Sequence, residues 1–367
     1  MSDTTDKFPC SSCGADLEFK PGTNSLTCPY CGAMNEIGGG DSTVIEEKDF
    51  QSVLEKLRSQ EASGETVDTI ITKCDTCGAE VNLGENRTGG ECVFCGSNIV
   101  AQGKSVKALK PESLLPFKIS KQEAADRFRQ WLSRRWFAPG KLKKFARPDG
   151  LKGLYTPYWT YDAGTVTDYT GQRGDYYYTT ETYTQTVDGK QVTKTRQVRH
   201  TRWTPARGTV SNEFDDVLVH AASGMEEDRV QQLEPWDLEN LVPWNSSYLS
   251  GFQVESYSVD LEEGLSRAKE RMRPVIESAI RRDIGGDTQQ IHHMNTAYSR
   301  IKFKHVLLPV WISSYRFRDK VYQFLVNART GEVQGSRPYS AGKIILLVAV
   351  LLVLAGAGLW LYRRYGG

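Results

Sequence analysis

The 367-residue chain has no cysteine outside two clusters and only five histidines, and its net charge is +1 at pH 7. Without a lone cysteine there is no thiol nucleophile. No G-x-x-x-x-G-K-[ST] loop, strand-linked G-x-G-x-x-G, H-E-x-x-H or G-x-S-x-G is found, so nucleotide-driven, dinucleotide-dependent, zincin and α/β-hydrolase chemistries lose their usual signatures. The histidines do not replace them. His292 and His293 are adjacent and read as surface polar residues. His200 and His305 lie in strand patterns without triad partners, and His220 sits beside an acidic block. The expectation is that the protein is not an enzyme. Balanced charge gives no overall field toward nucleic acid or membrane. The first ten residues, MSDTTDKFPC, hold no basic segment and no apolar run, so no signal peptide is expected.

What the chain does hold is a repeated cysteine pattern. Cys10, Cys13, Cys28 and Cys31 read C-x2-C-x14-C-x2-C, and Cys74, Cys77, Cys92 and Cys95 repeat it. Each C-x2-C places two thiolates on one tight knuckle, and two knuckles close a four-sulfur tetrahedron around zinc. Glycine after the second cysteine (Gly14, Gly78) suits the positive φ of such a turn. The alternative, two disulfides per copy, needs an oxidising compartment that nothing else in the chain suggests. The expected cofactors are two structural Zn2+. Four thiolates leave no open coordination position, and each metal supplies on the order of 10 kcal/mol to fold a module too small for its own core.

The other extreme feature is C-terminal. Ile344 to Tyr362 is an apolar run of 19 residues without charge. As a helix it reaches ~28 Å, close to the ~30 Å hydrocarbon layer. Lys343 precedes it, and Trp360, Tyr362, Arg363 and Arg364 suit the far interface. The reading is a single-pass, tail-anchored protein with a transmembrane helix over 343–362. Basic residues flank both ends, so they do not orient it. Zinc thiolates persist in a reducing compartment, which places the bulk of the chain in the cytosol at the inner or plasma membrane.

Between these extremes the pattern predicts a zinc ribbon over 8–37, a linker over 38–71 with a short amphipathic helix, a second ribbon over 72–100, and an α+β domain over 105–338. Phe50, Val53, Leu54 and Leu57 carry the linker helix. Ser120 and Glu123 form a capping box for a helix over Lys121–Phe137. Asp260 and Glu263 open another from about Leu261 to Arg282, with a kink expected at Pro274 and Gly285-Gly286 after its end. The remaining signals are β: Tyr155–Tyr169, Asp175–Trp203, Val217–Ala221, Gln253–Val259, Ile301–Phe317 and Lys320–Val326. Asp188-Gly189 is a two-residue hairpin turn. Pairing outward from it sets Glu181 against Arg196, Tyr178 against Arg199 and Asp175 against Arg202. Neither face of 175–203 is apolar, so the expectation is a protruding arm, roughly 40 Å long, that drives homo-oligomer assembly.

Charge is segregated. Lys118–Lys152 holds eleven basic residues against Glu123, Asp126 and Asp149, whereas Asn212–Asn240 holds nine acidic residues against Arg229. The blocks either face one another or lie on solvated surfaces. The functional expectation for the first is contact with anionic lipid or nucleic acid through Arg134, Arg135, Lys141, Lys143 and Lys144.

Several stretches also carry a resemblance. They are Leu154-Tyr155-Thr156-Pro157-Tyr158-Trp159-Thr160-Tyr161-Asp162-Ala163, a turn expected at Gly171-Gln172-Arg173-Gly174, Leu241-Val242-Pro243-Trp244, Tyr248-Leu249-Ser250-Gly251-Phe252, Leu308-Pro309-Val310-Trp311, and Tyr322-Gln323-Phe324 before Asn327-Ala328-Arg329-Thr330-Gly331-Glu332-Val333. In these the chain resembles the poorly characterised bacterial zinc-ribbon membrane proteins, often labelled transcription-factor-type zinc ribbons or primosomal, helicase-like proteins. The resemblance implies zinc ribbons joined to a membrane anchor. It implies no helicase activity, because the NTP-binding motifs are missing. The expected function is a tail-anchored adaptor whose ribbons dock a cytosolic protein partner. The alternative is a membrane-tethered nucleic-acid-binding protein. Against that alternative stand the sparse basic residues of the ribbons: Lys7 and Lys20 with Asp16 and Glu18, then Lys73 and Arg87 with Asp75, Glu80, Glu85 and Glu91.

Overall fold

The structure is a computed structural model that describes residues 8–38, 45–59, 66–82, 89–100, 104–137, 150–187, 190–317, 320–336 and 339–365. The chain begins with a three-stranded sheet of β1 (Glu18–Phe19), β2 (Ser25–Thr27) and β3 (Met34–Glu36). Then β4 (Lys48–Asp49) leads into α1 (Phe50–Arg58), whose first turn is capped by the Asp49 carboxylate accepting from the Ser52 amide. Next come β5 (Thr66–Lys73), β6 (Glu80–Asn82), β7 (Gly89–Glu91), β8 (Asn98–Val100), β9 (Lys104–Leu109) and β10 (Ser113–Leu114). α2 (Lys121–Ser133) starts at the expected capping box, with both reciprocal Ser120 and Glu123 bonds present. The long strands β11 (Lys152–Val187) and β12 (Lys190–His220) follow, then α3 (Glu227–Gln231), β13 (Val242–Pro243) and β14 (Gln253–Glu255). The chain closes with α4 (Leu261–Ile284), β15 (Thr288–Phe317), β16 (Lys320–Asn327), β17 (Val333–Gly335) and α5 (Ala341–Tyr365).

Twelve of the strands form one mixed sheet built on β15, β11 and β12, which are antiparallel to one another, with the short strands β10 and β14 running parallel to β15 and β11. Its base is buried on both faces, and side-chain alternation shows why. Tyr155, Trp159, Tyr161, Phe303, Leu307 and Trp311 point to one face, where α2, α4, α1 and the first ribbon cover them. Leu154, Tyr158, Val306, Leu308, Val310 and Ile312 point to the other, under the second ribbon and the Met225–Trp236 segment. The base therefore reads as near-continuous apolar sequence.

α4 lies along the first face. Trp159 Nε1 donates to the Val259 carbonyl at 3.0 Å, Tyr161 Oη to the Leu261 carbonyl at 2.8 Å, and Tyr169 Oη to Asp283 at 2.6 Å. The helix runs unbroken through Pro274, which sits among exposed residues, so the missing backbone bond falls on the solvent side. It ends at Gly285, and β15 opens at Thr288 opposite Gly174. Past that point neither helix nor third strand continues among the described residues, and β11 and β12 form a two-stranded arm. The arm's register is the expected one: Asp175↔Arg202, Tyr178↔Arg199 and Glu181↔Arg196. Val187 pairs with Lys190 around residues 188 and 189, which lie outside the described residues.

Three expectations need correction. Gly171–Gly174 is not a turn. It lies within β11, where a bulge between Thr170 and Gly171 and close neighbours select glycine. Residues 204–216 and 288–300 are strands despite their polar sequence. Among the described residues the ion pairs of the acidic block are made elsewhere than expected: Glu227 pairs with Arg267, Glu234 with Arg271, Asp216 with Lys304 and Asp237 with Arg329, drawing partners from α4, β15 and the turn after β16.

Candidate metal centres

Each four-cysteine cluster converges in space. In the first, Sγ–Sγ separations are 3.5 Å for both Cys10–Cys31 and Cys13–Cys28; in the second they are 3.6 Å for Cys74–Cys95 and 3.7 Å for Cys77–Cys92. All four sulfurs of each cluster lie within 4.8 Å of one another. A disulfide needs about 2.0 Å. Four sulfurs at ~2.3 Å from a central ion are ~3.8 Å apart. Both clusters are thus suited to hold a metal ion, and the donor set is that of a closed site with no position for water or substrate.

Four equivalent knuckles create this geometry. Cys10, Cys28, Cys74 and Cys92 each accept at the carbonyl from the amide four residues on, belonging to Gly14, Gly32, Gly78 and Gly96. Each also donates its own amide to the carbonyl five residues on, at Ala15, Ala33, Ala79 and Ser97. The four glycines have φ between 72° and 78°. At Gly14 and Gly32 nothing stands within 4 Å of an added Cβ, so backbone conformation rather than space selects glycine there.

The fourth knuckle differs in one residue that sequence reading passed over. Ser97 stands where the others have alanine, and its Oγ lies 3.3 Å from Cys74 Sγ and 2.9 Å from Cys95 Sγ. A hydroxyl donor at thiolate ligands orients them and spreads their charge. The break from Cys-Gly-Ala to Cys-Gly-Ser was the available signal.

The two centres sit in different surroundings. Cys74, Cys92 and Cys95 are buried, and Phe94 is fully enclosed. β5 and β6 of the second ribbon belong to the main sheet, pairing with β9 and β14. β15 and β16 grip its second knuckle, because Ser314 Oγ donates to the Val93 carbonyl and Gln323 Nε2 to the Phe94 carbonyl. The first ribbon keeps its own small sheet and packs on the core through Leu17, Phe19, Leu26 and Ile37. Its Cys13 and Cys31 are exposed. So are Tyr30, 83% accessible within the second knuckle, and Met34, 63% accessible.

Glu47, Asp162 and Asp215 converge, but Lys304 Nζ lies 3.3 Å from Glu47 and 2.6 Å from Asp216, with Lys302 3.3 Å from Glu47. Protein ammonium groups already serve Glu47, and Asp162 accepts the Asp216 amide at 2.7 Å. Asp162 is pushed up to about 6 by burial and by neighbouring Glu47. His220, Thr156 and Glu255 form a buried polar chain. Thr156 Oγ1 donates to Glu255 at 2.8 Å and lies 2.9 Å from His220 Nε2, and the Gly224 amide donates to Glu255 at 3.0 Å. Burial raises Glu255 to about 8 and lowers His220 to about 3. Both are therefore neutral near pH 7, although they stand 4.0 Å apart.

Of the basic residues proposed for anion contact, Arg134 and Arg135 follow α2, with the Arg135 guanidinium 3.7 Å over the Trp131 ring. Lys141, Lys143 and Lys144 lie outside the described residues. α5 is long and apolar enough to cross a membrane, and none of its apolar window is buried among the described residues.

No family model matches the chain. No solved structure matches it. The chain is similar to an uncharacterised protein, YdjG, of Bacillus subtilis (strain 168), with 27% identity over 348 residues, 92% of this chain and 91% of that protein.

Proposed function

We propose that the protein is a non-enzymatic, membrane-tethered adaptor with two structural zinc sites, in which the first ribbon docks a cytosolic protein partner. One observation carries the reading: the two ribbons share a cysteine pattern but not an environment. The second is walled into the main sheet and serves its stability. The first offers Tyr30 and Met34 to solvent on a metal-rigidified knuckle. An exposed aromatic on a rigid turn suits a protein interface, because little conformational entropy is lost when it is covered. α5 supplies the tether and holds the bulk of the chain in the cytosol, where thiolate ligands stay reduced. The arm supplies self-association, since β12 pairs only with β11 among the described residues and leaves its outer edge open.

Zinc is tested by elemental analysis of the purified full chain, with two zinc ions per chain expected. Docking is tested by crosslinking in membranes, mild-detergent purification and mass spectrometry. A stoichiometric protein partner is expected that is lost on Tyr30→Ala while metal content and thermal stability hold. Retention of that partner in Tyr30→Ala/Met34→Ala removes the first ribbon as the docking surface. Nuclease-sensitive nucleic acid in place of a protein brings the nucleic-acid reading forward.

A further inference from the structure

We propose that the C-terminal end of α2, centred on Arg134, Arg135 and Trp136 and joined to Lys343, is a docking surface for the anionic headgroups of the membrane that holds α5. This rests on the reading that α5 spans that membrane.

Position carries the argument. The Ser340 amide donates to the Phe137 carbonyl at 2.9 Å, and Lys343 Nζ donates to the Trp136 carbonyl at 2.7 Å. The Ile344 amide then donates to the Ser340 carbonyl at 3.1 Å and opens the helix. The apolar run starts at Ile344, so residue 340 lies ~6 Å outside it at 1.5 Å per residue. A headgroup layer is about 5–7 Å deep on each side of the hydrocarbon. Two hydrogen bonds therefore pin the end of α2 at headgroup depth.

The chemistry at that end matches the position. α2 keeps its acidic residues away from the anchor: Glu123 is engaged in the N-terminal capping box, and Asp126 pairs with Arg129. Beyond Asp126 the described part of α2 and its C-terminal turn carry only basic charge, ending in Arg134 and Arg135. Trp136 is 52% accessible, and Tyr339 at the foot of α5 is exposed as well. Aromatic rings with a polar edge concentrate at this depth, and basic residues there attract anionic lipid. The other end of α5 has the same signature in Trp360, Tyr362, Arg363 and Arg364. Bound headgroups would fix the soluble body against the bilayer rather than leave it swinging on a single helix.

The test places the full chain in nanodiscs of phosphatidylcholine alone or of equal phosphatidylcholine and phosphatidylglycerol, and follows hydrogen–deuterium exchange of the peptide covering 128–137. Exchange is expected to slow with phosphatidylglycerol by ~5-fold for each basic side chain engaged, and Arg134→Glu/Arg135→Glu should erase the difference. Brominated lipid should quench the fluorescence that Trp136→Phe removes. Equal exchange in both discs, with the chain incorporated, overturns the headgroup contact and leaves the span standing. Failure to incorporate into either disc overturns both. Protection by a DNA duplex but not by phosphatidylglycerol assigns the surface to nucleic acid instead.

Discussion

Gln323 Nε2 donates to the Phe94 carbonyl at 2.8 Å, so a side chain of β16 holds the backbone of a metal knuckle more than two hundred residues away in sequence. Gly224, whose amide bonds Glu255, lies against the Phe94 ring. The second ribbon is thus a wall of the core, and the first is a module laid upon it.

Metal loss should therefore have unequal consequences. A structural metal contributes on the order of 10 kcal/mol, comparable to the whole stability of a domain. Cys74→Ser/Cys77→Ser should leave Phe94 and its neighbours without a folded support and abolish cooperative thermal unfolding of the sheet. Cys10→Ser/Cys13→Ser should keep a cooperative transition with a reduced midpoint, since Leu17, Phe19 and Leu26 still lose their packing. Differential scanning calorimetry beside zinc content, one ion per chain in each variant, decides it. Equal damage from both pairs would contradict the asymmetry.

The Thr156–His220–Glu255 chain predicts a stability optimum in mildly acid solution. Glu255 is raised from 4.5 to about 8, so the folded state binds the extra proton and stability falls as pH rises through that interval. His220 is lowered from 6.5 to about 3, so the unfolded state binds the extra proton and stability falls as pH drops through that interval. The two slopes oppose each other between about 4.5 and 6.5. Glu255→Gln should remove the alkaline loss, a gain of roughly 2–5 kcal/mol near pH 8.5 relative to wild type and little change near pH 5. Urea unfolding at the two pH values measures it, and a parallel shift at both would show that Glu255 does not titrate differently on folding.

The glycines of β11 give a third test and show where sequence reading lost its hold. A Cβ at Gly171 would meet the Gln290 carbonyl and the Ile284 side chain, and one at Gly174 would meet Thr288, Thr201 and Trp203. These positions let three strands and the end of α4 close together. Gly171→Val should cost ~1–3 kcal/mol by overpacking. If the segment were a solvent-exposed turn, the same change would be nearly silent in thermal unfolding.

The capping box of α2, the N-cap of α4 and the arm's register were legible because each is written in local chemistry: Ser120 with Glu123, Asp260 with the Glu263 amide, Glu181 opposite Arg196. Even there the partners moved. Arg199 stands opposite Tyr178 but reaches diagonally over the Tyr176 ring, and Arg202 opposite Asp175 reaches over Tyr177, because a long guanidinium side chain spans to the next pair on the same face. The strands over 204–216 and 288–300 were not legible. Their inward positions mix apolar with polar or small residues (Ala206, Gly208, Val210, Asn212, Phe214) and are only half-buried, so the period-two signal is weak and the neighbouring strand defines them. The different roles of the two ribbons were hidden for a related reason: identical spacing fixes the knuckle and says nothing about what the sheet builds against it.

The arm separates folding from assembly most cleanly. From Tyr178 to Thr186 and from Lys190 to Gln197 its residues are exposed on both faces, and none belongs to a buried cluster. Two strands alone are marginal in water, yet this pair is anchored at its base by β15 and carries cation–π contacts along its length. Tyr178 and Arg199 are direct partners. Replacing 179–198 with Asn-Gly joins them through a two-residue turn without changing the register below. Thermal unfolding of that variant should stay within ~2 °C of wild type, because no core contact is removed. Its mass in mild detergent, read by light scattering, should fall to that of one chain where the intact protein runs as a multimer. A shortened protein with unchanged mass would show that the arm does not carry assembly, and a large drop in midpoint would show that it supports the sheet it projects from.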